Sequence, residues 1–99
     1  MASASQGKMS SGSQQLHQSM MKGMQEMQKM MSMSGDTDKD FATMMIHHHR
    51  QAIEMARVEL AQGKNSELKQ QAQKIIDDSQ KDIAVLQKHA GSEAKSSSR

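Results

Sequence analysis

The sequence TDKDFATMMIHHHRQAIEMARVELAQ, residues 37–62, decides the fold, since it is the longest of three segments in which apolar residues recur at helical spacing. It opens with an acidic turn in which Thr37 and Asp40 resemble a capping box, and Gly63 follows its last residue. At about 100° per residue, its apolar side chains share one stripe. The members of this stripe are Phe41, Ala42, Met45, Ala52, Ile53, Ala56 and Leu60. The segment is therefore predicted to be an amphipathic helix that packs along one side.

Two further helices are predicted, one on each side of this segment. The first covers residues 13–33 and stops at Gly35, which suits a left-handed cap. The other covers residues 66–90, with Asn65 or Ser66 as its cap. Its predicted buried stripe contains Leu68, Ala72, Ile75, Ile76, Ile83, Leu86 and Ala90. With three predicted helices, we expect an all-α fold. Because short links make neighbouring helices antiparallel, the helices should form a small antiparallel bundle. A homodimer would extend it into a larger bundle.

Length and composition limit how large the core can be. The chain has 99 residues, 34% of them apolar, and a single aromatic residue. A thin core follows, and small domains of this kind are commonly stabilised by metal binding or self-association. Both ends are rich in serine and lack periodicity, so residues 1–12 and 91–99 are predicted to be disordered tails around a helical domain at residues 13–90.

The patterns of charge and hydropathy do not favour binding to nucleic acid or crossing a membrane. The 13 basic and 11 acidic residues are interspersed, and there is no basic stripe, so nucleic-acid binding is not expected. No apolar run approaches the roughly 18 residues of a membrane span. The first residues also lack the apolar segment of a secretion signal, which fits either a cytoplasmic protein or the mature part of an exported one.

Methionine is the most unusual residue of the chain, with 12 copies in a sequence that has no cysteine. In the first helix one set follows the spacing of a core seam, and both core packing and metal ligation stay open for it. This set consists of Met20, Met24, Met27 and Met31, with Leu16. Met21, Met30 and Met33 project off the seam, which suggests ligands or an adaptable surface for a partner protein. His17 projects beside Met20, Met21 and Met24.

Three consecutive histidines on the second helix are expected to have three environments, since adjacent helical residues point about 100° apart. His49 falls within the apolar stripe and is either a core histidine or a ligand. His48 shares a flank with Met44 and Met55. His47 is predicted to point away from the core, toward solvent. More than one metal site is therefore expected.

The combination of thioether and imidazole groups indicates the metal. Thioethers suit Cu(I) and by analogy Ag(I), whereas zinc sites usually use cysteine, histidine and carboxylate. The Glu-x-x-His pairs of di-iron bundles and the His-Glu-x-x-His motif are absent. We expect a site for Cu(I), Cu(II) or Ag(I) with ligands drawn from His48, His49, Met44, Met45, Met55, His17, Met21, Met24 and His47.

Two functions from different classes are consistent with these residues. The first is metal binding for sequestration, delivery or resistance, with a copper export or resistance protein as a partner. The alternative is a metal-independent helical interaction module with a methionine-rich surface. No serine or carboxylate pair stands in a recognisable catalytic setting, so an enzyme is not expected.

The segment around the histidines also resembles a known family. A phenylalanine followed by Met-Ile-x-His-His and Ala-Ile-x-Met-Ala is similar to the signature of the domain of unknown function 305 family. The resemblance implies a ferritin-like helical bundle that is usually periplasmic, with some members that bind copper or silver and contribute to metal resistance. By position it assigns the family's histidines to His48 and His49 and its methionines to Met45 and Met55. Many members have proline where this chain has His47, which adds a candidate ligand.

Overall fold

The computed structural model describes residues 10–29 and 33–90. They form three helices, which we call α1 (Ser11–Lys29), α2 (Thr37–Gln62) and α3 (Ser66–Gln87). The prediction of a small all-α bundle of three helices is confirmed. None of the described helices has the length and apolar character that crossing a membrane requires.

The helix bounds agree with the predictions best in the middle of the chain. Helix α2 has the predicted bounds. Helix α1 begins two residues earlier than expected, and Met33, which was expected to be helical, is not. Helix α3 ends at Gln87, and the last three described residues form a turn. The predicted tails lie outside the described residues, apart from residues 10–12.

The start of α2 differs from the predicted capping box. Its N-cap is Asp36, whose carboxylate accepts a hydrogen bond from the backbone N–H of Lys39 at 3.2 Å. Asp40 instead accepts hydrogen bonds from the backbone N–H and the hydroxyl of Ser34, at 3.0 and 2.8 Å. The backbone bond from Ser34, followed by the hydroxyl bond, holds the pKa of Asp40 below its usual value. These bonds join the chain before α2 to its first turn, where Gly35 takes a left-handed φ of 93°.

Asn65 is the residue that caps α3, since its side chain accepts the backbone N–H of Leu68 at 2.9 Å. Asn65→Ala should lower the free energy of unfolding by about 1 kcal/mol, because that N–H would lose its partner. Chemical denaturation followed by circular dichroism measures this change. Asn65→Asp is the control and should stay close to the wild type; equal losses in both variants would contradict the capping role.

The core lies between α2 and α3, which run antiparallel. One cluster contains Ile53, Ala56, Ala72 and Ile76, with Leu60, Ile75 and Ile83 packed against it. A second contains Ala42, Ile46 and Ala90, with Ile83 and Leu86 beside it. Phe41 and Leu68 were expected in the buried stripes, but they are 59% and 55% exposed. The predicted apolar stripes of α2 and α3 therefore include residues that lie outside the contact between the two helices.

Helix α1 packs antiparallel against another side of α2, through small and polar residues. Gly12 lies so close to α2 that a Cβ there would be 2.8 Å from the Cβ of Gln62. A Cβ on Gly23 would overlap the side chain of Gln51, whose amide donates a hydrogen bond to the hydroxyl of Ser19 at 2.9 Å. Core packing was one of two roles left open for the methionines of α1, and it does not hold for Met20 and Met24, which are 47% and 53% exposed. The backbones of α1 and α2 therefore approach each other at the glycines, and the methionine side chains lie beside this contact.

Candidate metal centre

A groove of about 480 Å³ lies between α1 and α2, and we call it the methionine groove. Sulfur and imidazole groups dominate its lining, which is made by Met20, Met24, Met27, Met55, His47 and His48. The other four lining residues are Gly23, Gln28, Gln51 and Ala52. No carboxylate is among these described lining residues. The groove therefore offers soft sulfur and nitrogen donors without competing hard oxygen anions.

Helical spacing brings these side chains to the same groove. Met20, Met24 and Met27 are separated by four and three residues, which places them on one face of α1. On α2, His48 and Met55 are seven residues apart, or about two turns, and so share a flank. The close approach of the helices at Gly23 places these two sets of side chains on opposite sides of one groove.

His47 does not point into open solvent as predicted. It is half-buried and lines the methionine groove. It also borders a second, polar cleft of about 200 Å³ whose charged members are Lys22, Glu26, Arg50 and Glu54. The reason is that α1 covers this side of α2, which the apolar pattern of α2 alone does not indicate.

His49 lies on a different side of α2 from His47 and faces α3. Its Nδ1 lies 2.7 Å from the carbonyl oxygen of Met45, and its Nε2 lies 3.3 Å from Oδ2 of Asp82. The rings of His48 and His49 are edge to face, with centroids 6.2 Å apart. The two histidines of the family signature therefore lie on different sides of α2: His48 lines the methionine groove beside α1, and His49 contacts α3.

The structure brings only some of the predicted ligands together. Met24, Met55, His47 and His48 line the methionine groove, whereas Met45 lies with His49 in a cleft between α2 and α3. The remaining predicted ligands are exposed side chains outside the groove lining: Met21, Met44 and His17. Residues 30–32, which include two further methionines, are not described.

Met20 and Met27 are groove residues that the sequence did not single out as ligands. Their spacing placed them on the same face as Met24, but that face was expected to include core. In the part of the chain that the structure describes, no three His, Asp or Glu side chains are grouped so that they could hold a metal ion. Any metal held in the groove would therefore depend on thioethers.

Fold and groove define the class: a small all-α protein in which two antiparallel helices enclose a cleft of methionine and histidine side chains. The chain matches the family model described as domain of unknown function (DUF305) over residues 1–90, and it belongs to that family. Comparison with curated proteins and with solved structures gave no significant match to either.

Proposed function

We propose that this protein binds Cu(I), and Ag(I) by the same chemistry, as a cargo ion in the methionine groove. One observation carries the proposal: four thioethers and two imidazoles from α1 and α2 line one groove in which no described lining residue is a carboxylate. Soft cations prefer sulfur and imidazole donors, while hard cations require oxygen. The donor set therefore selects for monovalent copper and silver.

The arrangement of the donors suits an ion that exchanges. Met20 and Met24 are about half exposed, and His48 is exposed as well. An ion would therefore reach these groups from solvent without passing through a packed core. Neutral thioethers bind Cu(I) moderately and are not consumed by disulfide formation, which suits an oxidising compartment. We propose sequestration or delivery in the periplasm, with a copper export or resistance protein as the receiving partner.

Cu(I) and Ag(I) titrations against a competing chelator test the proposal. Met24→Leu with Met55→Leu removes two sulfurs from the groove while keeping a similar apolar volume. We expect the affinity for Cu(I) to fall about tenfold or more, a range typical when the surroundings of a metal site are disturbed. The matched control is Met21→Leu with Met44→Leu, which removes two sulfurs outside the groove and should leave the affinity unchanged.

Two outcomes would contradict the proposal in different ways. Equal losses in both double variants would mean that the methionines bind metal without regard to the groove. Retention of full affinity by the Met24 and Met55 variant would exclude the groove as the site.

A second candidate function is the metal-independent interaction module, and the size of the groove favours it. A volume of about 480 Å³ lies within the range of roughly 300–1,000 Å³ that is typical of pockets for organic ligands or side chains. Flexible methionines also adapt to varied partners. If neither the wild type nor any variant retains Cu(I) or Ag(I), this function becomes the better explanation.

A further inference from the structure

The groove methionines of this protein are separate from its core. In the part of the chain that the structure describes, the two core clusters between α2 and α3 contain no methionine. In the methionine groove, Met20 is 47% and Met24 is 53% exposed, whereas Met27 and Met55 are half-buried. A chemical change at the exposed thioethers would therefore alter the groove without removing apolar contacts from the core.

Thioethers are also the only sulfur groups that this chain offers to an oxidant, since it has 12 methionines and no cysteine. Peroxides oxidise an exposed methionine to its sulfoxide. With hydrogen peroxide, a lone pair of the sulfur attacks one peroxide oxygen, the O–O bond breaks and an S–O bond forms. The sulfur loses two electrons. The second oxygen leaves as hydroxide and takes the proton of the transferred oxygen, which gives water.

The sulfoxide no longer suits a soft cation. The lone pair that attacks the peroxide is the pair that a thioether gives to Cu(I), and the sulfoxide presents a hard oxygen in its place. The product is also polar, which changes the character of the groove. Met20 and Met24 lie four residues apart on α1 and line the same groove. Oxidation of both would therefore remove two of the four thioethers of the groove.

We infer that Met20 and Met24 form a reversible oxidation site, at which peroxide switches off the binding of soft metal ions while the helices stay folded. Enzymes of the methionine sulfoxide reductase class would restore the thioethers. The inference rests on the proposed function, because the property that is switched is the binding of Cu(I) and Ag(I). It also requires that a bound ion, which occupies the sulfur lone pair, protects the groove methionines from peroxide.

Peptide mapping by mass spectrometry tests this protection, after limited treatment with hydrogen peroxide in chloride-free buffer, with and without Ag(I). Met21 and Met44 are matched controls within the same chain, because they are 44% and 37% exposed and lie outside the groove lining. Without metal, we expect sulfoxide at all four exposed positions. With Ag(I), we expect protection of Met20 and Met24 but not of the controls. Equal protection at all four positions, or none at any, would overturn the inference.

Chelator competition with Cu(I) measures the switch, on the untreated, the oxidised and the reductase-treated protein. We expect oxidation to lower the affinity about tenfold or more, a range typical when a metal site is disturbed. Reductase treatment should restore the affinity, and circular dichroism should show the same helices throughout. The variant with Met21→Leu and Met44→Leu should respond to peroxide like the wild type. In the variant with Met20→Leu and Met24→Leu, peroxide should leave the remaining affinity unchanged.

Failure of this inference and failure of the proposed function give different results. A protein that binds Cu(I) equally well before and after oxidation overturns the inference and leaves the proposed function intact. A protein that binds no Cu(I) before oxidation overturns the proposed function and the inference with it. Loss of the helical signal on oxidation, or an equal fall in affinity in the variant without Met20 and Met24, also overturns the inference.

Discussion

Gly23→Leu is expected to lower the affinity for Cu(I) by about 10- to 100-fold, the range typical of changes in the support of a metal site. Even a single Cβ at this position would overlap the side chain of Gln51. Gln51 could turn aside for an alanine, but a leucine would also occupy the methionine groove and push α1 away from α2. Chelator competition with Cu(I) measures the effect, beside circular dichroism to confirm that the helices persist.

Gln25→Leu is the matched control for this substitution. It adds the same side chain to an exposed position of α1, two residues away from Gly23. We expect it to bind Cu(I) like the wild type. If Gly23→Leu also binds like the wild type, the close approach of the two helices is not needed for the site, and the ligands of α1 act independently of those on α2.

Ile53→Ala is expected to have the largest effect on stability, about 2–4 kcal/mol. Ile53 is buried at 8% exposure in the cluster that joins α2 to α3. Its loss would leave a cavity that the neighbouring helices only partly close. At about 0.05 kcal/mol per residue, the lower end for native proteins, a chain of 99 residues has a total stability of about 5 kcal/mol. Thermal and urea denaturation should therefore show a large fraction of that stability lost.

Leu68→Ala provides the comparison, because Leu68 is a similar aliphatic residue that is 55% exposed. Its removal should change stability by about 0.5 kcal/mol or less, as is usual for surface positions. Comparable losses from both substitutions would show that the contact between α2 and α3 is not where the apolar burial is concentrated.

Local features of the sequence were sufficient to predict the helices. The bounds of α2 follow from the acidic residues before it and Gly63 after it, and Asn65 was one of two candidates for the α3 cap. The link between α2 and α3 is too short for any arrangement other than an antiparallel pair. These interactions act over a few residues, and the residues involved are adjacent in the chain.

Part of the candidate site could also be predicted. The expectation that consecutive histidines point about 100° apart agrees with His48 in the methionine groove and His49 against α3. The pairing of His49 with Asp82 was not predicted. It joins residues 33 apart in the chain, and it depends on how α3 is placed and rotated on α2.

The sequence by itself determined three helices, an antiparallel hairpin of α2 and α3, and a concentration of thioether and imidazole groups on α1 and α2. Only the tertiary structure decided that Met20 and Met24 line an open groove instead of a core, and that His47 faces α1. The physical reason is the contact at Gly12 and Gly23. Apolar periodicity indicates which side chains share a face, but the position of α1 depends on where its backbone can approach α2 most closely, and glycine carries no hydrophobic signal.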